Sequence, residues 1–127
     1  MKGVFSEGII MANKNILIAI ESGIIGLDIK KQLNGYGYSS EIINLVSKEK
    51  IKKTLDKHFQ LMILEKCMNY ESIEYAAKLA QEYNLPVIYL STDKNFRKTE
   101  ENRQSILMMP FGEDDLRETV KTALGDG

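Results

Sequence analysis

The sequence predicts an α/β protein in which helices cover both faces of a doubly wound parallel sheet. Two observations support this fold class. First, short apolar runs alternate with segments of helical periodicity along the chain. Second, the apolar runs are mostly continuous, as is typical of parallel strands that are buried on both faces. Five such strand–helix pairs call for parallel strands joined by right-handed crossovers.

The first strand and helix follow each other directly. The run "NILIAI", Asn15 to Ile20, predicts a strand. Ile25, Ile29 and Leu33 then recur at the spacing of one helix face, before a Gly-rich stop. The next strand lies in "SEIINLV". Ser47 is placed to cap a second helix, whose apolar face is formed by Ile51, Leu55 and Phe59.

The third strand contains four consecutive apolar residues, Leu61 to Leu64, and ends on Glu65. The segment "YESIEYAAKLAQEYN" then shows helical spacing of Ile73, Ala76, Ala77 and Ala80. Pro86 opens the β-rich run "VIYLST", which predicts the fourth strand.

The last two units close the chain. A polar, weakly periodic helix is predicted in "DKNFRKTEENRQ", and "SILMM" supplies the fifth strand before Pro110. In "EDDLRETVKTAL" the residues Leu116, Val120 and Ala123 align on one helix face. The acidic residues that open this segment suit the first turn of a helix, where the macrodipole favours negative charge.

Composition narrows the function. The chain of 127 residues with 43% hydrophobic residues suits one domain. Its net charge of -1 argues against a nucleic-acid partner. No apolar stretch is long enough for a membrane span, the first ten residues do not form a signal peptide, and the single Cys67 excludes an internal disulfide. We therefore expect a cytoplasmic protein.

In doubly wound sheets, ligands and chemistry lie beyond the carboxyl ends of the strands. The residues to inspect are therefore Glu21, Glu65, Ser91 and Met109, because each ends an apolar strand.

The ordered blocks resemble the receiver domains of two-component response regulators, and are most similar to receivers of methanogenic archaea. The likeness spans about Lys14 to Leu124 and rests on "ILIAIESGIIGLDIKKQLNGYGY", "LMILEKCM", "PVIYLST" and "MMPFGEDDLRETVKTAL". It implies a flavodoxin-like sheet of five parallel strands in the order 2-1-3-4-5. Residues 1–13 would be an N-terminal extension, 14–124 the receiver-like domain and 125–127 a C-terminal tail.

The resemblance assigns a role to each strand-end position. Glu65 stands where receivers have the aspartate that accepts a phosphoryl group. Ile20 and Glu21 stand at the acidic pair that helps to bind Mg²⁺, and Met109 replaces the lysine that pairs with the phosphoryl charge. A thioether cannot neutralise an oxyanion.

Two further positions complete the comparison. Ser91 matches the switch hydroxyl of the family, although a serine at a strand end also suits a helix cap. Ile106 occupies the position of the switch aromatic. The segment between Ser91 and Met109 is about four residues shorter than in typical receivers, which would shorten or deform the fourth helix.

These departures together indicate a degenerate pseudo-receiver. We expect Mg²⁺ binding to be weak or lost, with Glu21 and Glu65 as the remaining weak candidates for metal ligands, because Mg²⁺ demands near-ideal octahedral geometry. We expect no cofactor and no enzymatic activity. Glu65 itself has two interpretations. Its carboxylate reaches toward Ser91 and imitates phospho-aspartate, or it is a relic that Lys66 partly offsets.

Three functions remain open. The first is a phosphorylation-independent interaction domain whose signal leaves by contact with a signalling protein, either a sensor kinase or another receiver. The second is a working phosphorelay receiver with an atypical acceptor such as Ser91. The third is a flavodoxin-like domain that binds a small molecule at the strand ends, where Tyr70 and Tyr89 would stack on it.

A weak homodimer is a further expectation. The cations of residues 94–103 would face the acidic residues of the last helix, Glu113 to Asp115 and Glu118, in a two-fold partner. Such a dimer would be weak, because exposed ion pairs contribute only about 0–1 kcal/mol each. It would also be sensitive to salt, which screens exposed charges.

Overall fold

The computed structural model describes residues 14–44, 48–65, 70–92 and 104–125. Within these ranges the chain forms five strands and four helices. In chain order they are β1 (Asn15–Ala19), α1 (Gly23–Gly35), β2 (Ser39–Ile43), α2 (Lys48–Leu55), β3 (Leu61–Glu65), α3 (Tyr70–Glu82), β4 (Val87–Ser91), β5 (Gln104–Met108) and α4 (Glu113–Leu124).

The five strands form one sheet in the order β2-β1-β3-β4-β5, and each neighbouring pair is parallel. The flavodoxin-like α/β fold is therefore confirmed, including the strand order. In the central register, Ile18 of β1 lies between Ile42 of β2 and Ile63 of β3. The carboxyl ends of all strands meet at one edge of the sheet, which we call the carboxyl edge.

Two hydrophobic clusters lie on opposite faces of the sheet. One cluster joins the even-numbered residues of β1 to α1 and α4, through residues such as Ile29 and Leu116. The other joins the odd-numbered residues of β1 to α2 and α3, through residues such as Ile51 and Ala76. Since each central strand is buried on both faces, its continuous apolar run follows directly from its position in the sheet.

The second helix is shorter than predicted. It ends at Leu55, so Phe59 does not extend its apolar face. Phe59 is still buried in the core against α2 and α3, while the His58 carbonyl accepts a hydrogen bond from Asn15 Nδ2 at 3.2 Å. Phe59 therefore reaches the core from the connection that leads into β3.

Several predictions fall on residues outside the described ranges. They concern the extension 1–13, the Ser47 cap, Lys66, Cys67 and the polar helix with its cations in 93–103. In the described part of the chain, none of the helices is long and apolar enough to cross a membrane.

Gly26 allows α1 to approach the end of the first strand closely. A Cβ at this position would lie 2.8 Å from Ile20 Cδ1 and 3.3 Å from Ile20 Cγ1. Ile20 is only 2% exposed and is packed in the core, so it has little room to move.

We predict that Gly26→Ala lowers the free energy of unfolding by about 1 kcal/mol, because overpacking outweighs the usual gain from replacing a helical glycine. The matched control is Gly23→Ala in the same helix, where a Cβ would meet nothing within 4 Å. We expect it to be neutral or to stabilise by up to about 1 kcal/mol. Urea denaturation measures both, and a Gly26→Ala variant as stable as Gly23→Ala would contradict this account of the α1 approach.

Candidate functional site

Five of the six predicted site residues lie at the carboxyl edge of the sheet, and Ile106 lies in the middle of β5. Ile20 and Glu21 follow β1, Glu65 ends β3 and Ser91 ends β4, so three neighbouring strands supply them. Met109 follows β5, next to β4. The parallel sheet brings these positions together because every strand runs toward the same edge.

The half-buried carboxylate of Glu65 is bound to the start of α1. Its Oε1 atom accepts a hydrogen bond from the Glu21 N–H at 2.9 Å and a second one from the Ser22 N–H at 3.3 Å. Both donors belong to the turn between β1 and α1. The two bonds therefore tie the end of the third strand to the turn that follows the first.

The position of this carboxylate is favourable for a negative charge. Ser22 is the N-cap of α1, and its Oγ accepts a hydrogen bond from the Ile25 N–H at 3.4 Å. The first N–H groups of a helix lack partners within the helix, and the macrodipole favours an anion there. No acidic residue lies in the first turn of α1 itself. Glu65 supplies the missing negative charge from a neighbouring strand.

Ser22 is a site residue that the positions of the strand ends alone do not identify. Its local signal is that serine directly before a helical apolar pattern is a preferred N-cap. What the sequence lacks is any sign that the turn amides would face Glu65. Glu21 was predicted from the sequence, but its side chain is exposed and only its backbone N–H takes part in the contact with Glu65.

Ile20, which the resemblance places at the first position of the acidic pair, is buried. Ile20 lies in the cluster against α1 and α4, and its N–H donates to the Ile43 carbonyl of β2 at 3.1 Å. Its side chain is therefore part of the core. As a hydrocarbon, it offers no oxygen to a cation. In the described ranges, no group of three or more His, Cys, Asp or Glu side chains is placed to hold a metal ion.

Ser91 and Met109 are joined through the backbone. The Met109 N–H donates to the Ser91 carbonyl at 2.8 Å, and Ser91 is only 1% exposed. Within the described residues, Glu65 and Ser91 are not hydrogen-bonded to each other, and the two bonds of Glu65 run toward β1 instead. The structure thus brings Ser91 to the same edge without connecting it to the carboxylate.

The two remaining positions carry apolar side chains. Met109 and Phe111 pack against the cluster formed with α1 and α4, and the Met109–Pro110 peptide bond is cis. Ile106 is partly buried against the other cluster, on the face of α2 and α3. A methionine in this place extends the core toward the carboxyl edge.

Comparison with known proteins adds evidence on the fold. No model of a known protein family and no curated protein matches this chain. A response regulator receiver protein from Burkholderia phymatum matches with a TM-score of 0.73 and 18% identity, over 90% of this chain and 98% of that one. The chain has the receiver fold.

Two other solved structures have the same receiver fold. The N-terminal domain of a response regulator/sensory box/GGDEF three-domain protein from Carboxydothermus hydrogenoformans matches with a TM-score of 0.68 and 25% identity, over 88% of this chain and 94% of that one. A chain in the complex of the histidine kinase ThkA with the response regulator TrrA matches with a TM-score of 0.69 and 22% identity, over 87% and 98% of the two chains. The similarity to archaeal receivers stays a prediction.

We predict that Glu65→Ala lowers the free energy of unfolding by about 1–2 kcal/mol, because two helix-start amides lose a charged acceptor. Glu65→Gln keeps an acceptor oxygen without the charge and should lose less. The control is Glu21→Ala, which removes an exposed side chain but keeps the N–H that donates to Glu65, so we expect a change within about 0.5 kcal/mol. Equal stability of Glu65→Ala and the parent protein in urea denaturation would refute this role of Glu65.

Proposed function

We propose that this chain is a signalling protein of the response-regulator type that acts by protein–protein contact and takes no phosphoryl group at the usual position. The main support is the Glu65 carboxylate, whose Oε1 accepts hydrogen bonds from the Glu21 and Ser22 amides. In this arrangement the carboxylate performs a structural task at the start of α1. A pseudo-receiver needs only the fold and its surfaces, and not the phosphorylation chemistry.

The surroundings of Glu65 give further support. Transfer of a phosphoryl group to a carboxylate requires cations that neutralise the charge on the transferred oxygens. Ile20 is buried in the core, and Met109 packs against the same cluster. Neither side chain can bind a metal ion of the Mg²⁺ type or offset an oxyanion.

Two alternatives have less support. An atypical acceptor at Ser91 would need a phosphate donor to reach the hydroxyl group of a residue that is only 1% exposed. A small-molecule cleft lined by Tyr89 would need an accessible ring. Tyr89 is instead buried against α2 and α3, and its OH accepts a hydrogen bond from Gln104 Nε2 at 3.5 Å.

The proposed partner is a sensor kinase. The complex of ThkA with TrrA contains a chain that this protein resembles in fold. In α1, Ile24 is 84% exposed and Leu27 is 64% exposed, one turn apart on the helix surface. Adjacent exposed apolar side chains favour contact with a partner. Another receiver is the second candidate, and a weak homodimer stays a prediction, since the cations invoked for it lie outside the described residues.

We predict that incubation with acetyl phosphate and Mg²⁺ adds no phosphoryl group, because the acceptor aspartate, an acidic residue and the lysine are all replaced. Intact-mass spectrometry measures the outcome, and a receiver that has these residues serves as the positive control for the donor. A stoichiometric gain would overturn the proposal. In that case Glu65→Gln and Ser91→Ala identify which residue accepted the group.

We also predict no saturable rise in thermal stability when Mg²⁺ is added up to about 10 mM, because a cation that binds only the folded state must stabilise it. Sodium chloride at matched ionic strength controls for general salt effects. A saturable increase specific to Mg²⁺, and lost in Glu65→Gln, would mean that the acidic residues still form a metal site.

A further inference from the structure

A groove lies between α1 and the edge strand β2, away from the carboxyl edge. Helix α1 ends at Gly35, and Gly37 has a φ of +96°, which a glycine adopts without strain. The chain then doubles back into β2 at Ser39. This turn places the last part of the helix beside the start of the strand. The space between them, here called the α1–β2 groove, has a volume of about 380 Å³. Its lining residues are Leu27, Lys30, Lys31, Asn34, Tyr38, Ser39 and Ser40.

One lysine of the α1–β2 groove is held in place. Lys30 Nζ donates to the Ser40 carbonyl at 2.7 Å. Because β2 is at the edge of the sheet, this carbonyl would otherwise be open to pairing with an added strand. Lys30 covers it, so the groove suits a ligand better than an extra strand. The ammonium group is thereby fixed at the wall of the groove.

Four other polar side chains of the groove have no hydrogen-bond partner among the described residues. The side chains of Lys31, Asn34, Ser39 and Ser40 make no hydrogen bond or ion pair with any residue that the structure describes. Together they present an ammonium, an amide and two hydroxyl groups, all of which can donate hydrogen bonds.

Among the residues that the structure describes, none that lines the groove is acidic. Among the neighbouring acids, Glu41 is paired with Lys57 at 3.1 Å, and Asp28 accepts a hydrogen bond from Gln32 Nε2 at 3.1 Å. The groove is therefore cationic and rich in donors, which is the chemistry that recognises a phosphate group.

We propose that the α1–β2 groove binds a small organic phosphomonoester, with its phosphate between Lys30 and Lys31. The volume falls in the range of about 300–1,000 Å³ that is typical of small-molecule sites and exceeds what a phosphate ion alone would fill. Leu27 and Tyr38 give an apolar wall for the organic part. The groove is independent of Glu65 and of phosphoryl transfer, since it lies near the amino ends of the strands and Glu65 lies at their carboxyl ends.

Nuclear magnetic resonance of the ¹⁵N-labelled full chain tests the proposal, with ribose 5-phosphate as the probe at constant ionic strength. We expect saturable shifts of the amides of residues 30–34, 39 and 40. Ribose alone should shift none of them, and inorganic phosphate should shift the same amides with weaker affinity, because it lacks contact with Leu27. The absence of a saturable shift at about 10 mM ribose 5-phosphate would overturn the proposal.

Matched variants test the role of the lysine. Lys31→Ala should weaken binding by about tenfold or more, because it removes a charge-assisted hydrogen bond. Lys78→Ala removes another exposed helical lysine, on the opposite side of the sheet, and should change the affinity by less than about twofold. Equal effects of the two variants, or equal shifts beside lysines throughout the chain, would show only nonspecific attraction of an anion and would overturn the proposal.

Discussion

The arrangement of the carboxyl edge depends on the contact between the Glu65 carboxylate and the turn amides of Glu21 and Ser22. A parallel sheet leaves polar backbone groups where its strands end, and the helix that follows β1 begins with N–H groups that need acceptors. Glu65 ends the adjacent strand β3. It thereby meets a local requirement for a hydrogen-bond acceptor and for negative charge.

Two apolar side chains at the same edge fit this arrangement. Ile20 and Met109 both extend the cluster between the sheet and the pair α1 and α4. A buried carboxylate or a lysine without its partner would be costly at such positions. An apolar side chain at each position avoids this cost and adds packing to the cluster.

Much of the fold was predictable from the sequence. The apolar runs, most of them continuous, located all five strands. The last helix has the predicted bounds, because its apolar spacing and acidic first turn agree. Strand order came from the resemblance to receivers. The predicted end of α2 was wrong, because Phe59 continues the helical spacing although it reaches the core from a loop. Spacing alone cannot distinguish these two routes to the core.

The contacts of the site were less predictable. Its positions followed from the rule that strand ends meet at one edge, but the partners of Glu65 depend on how the β1–α1 turn directs its amides. The same limit applies to the α1–β2 groove, where Lys30 and Ser40 meet only because the chain turns back at Gly37. Such contacts between residues of different elements are fixed by packing and have no local pattern.

Amide hydrogen exchange of Glu21 and Ser22 tests whether Glu65 holds the start of α1. We expect both amides to exchange more slowly in the parent protein than in Glu65→Ala, with Glu65→Gln between them, because an accepted hydrogen bond must open before exchange. Amides in the middle of β3 serve as the reference for global stability. Equal exchange of Glu21 and Ser22 in the parent protein and Glu65→Ala, after correction for that reference, would contradict the claim that Glu65 holds the start of α1.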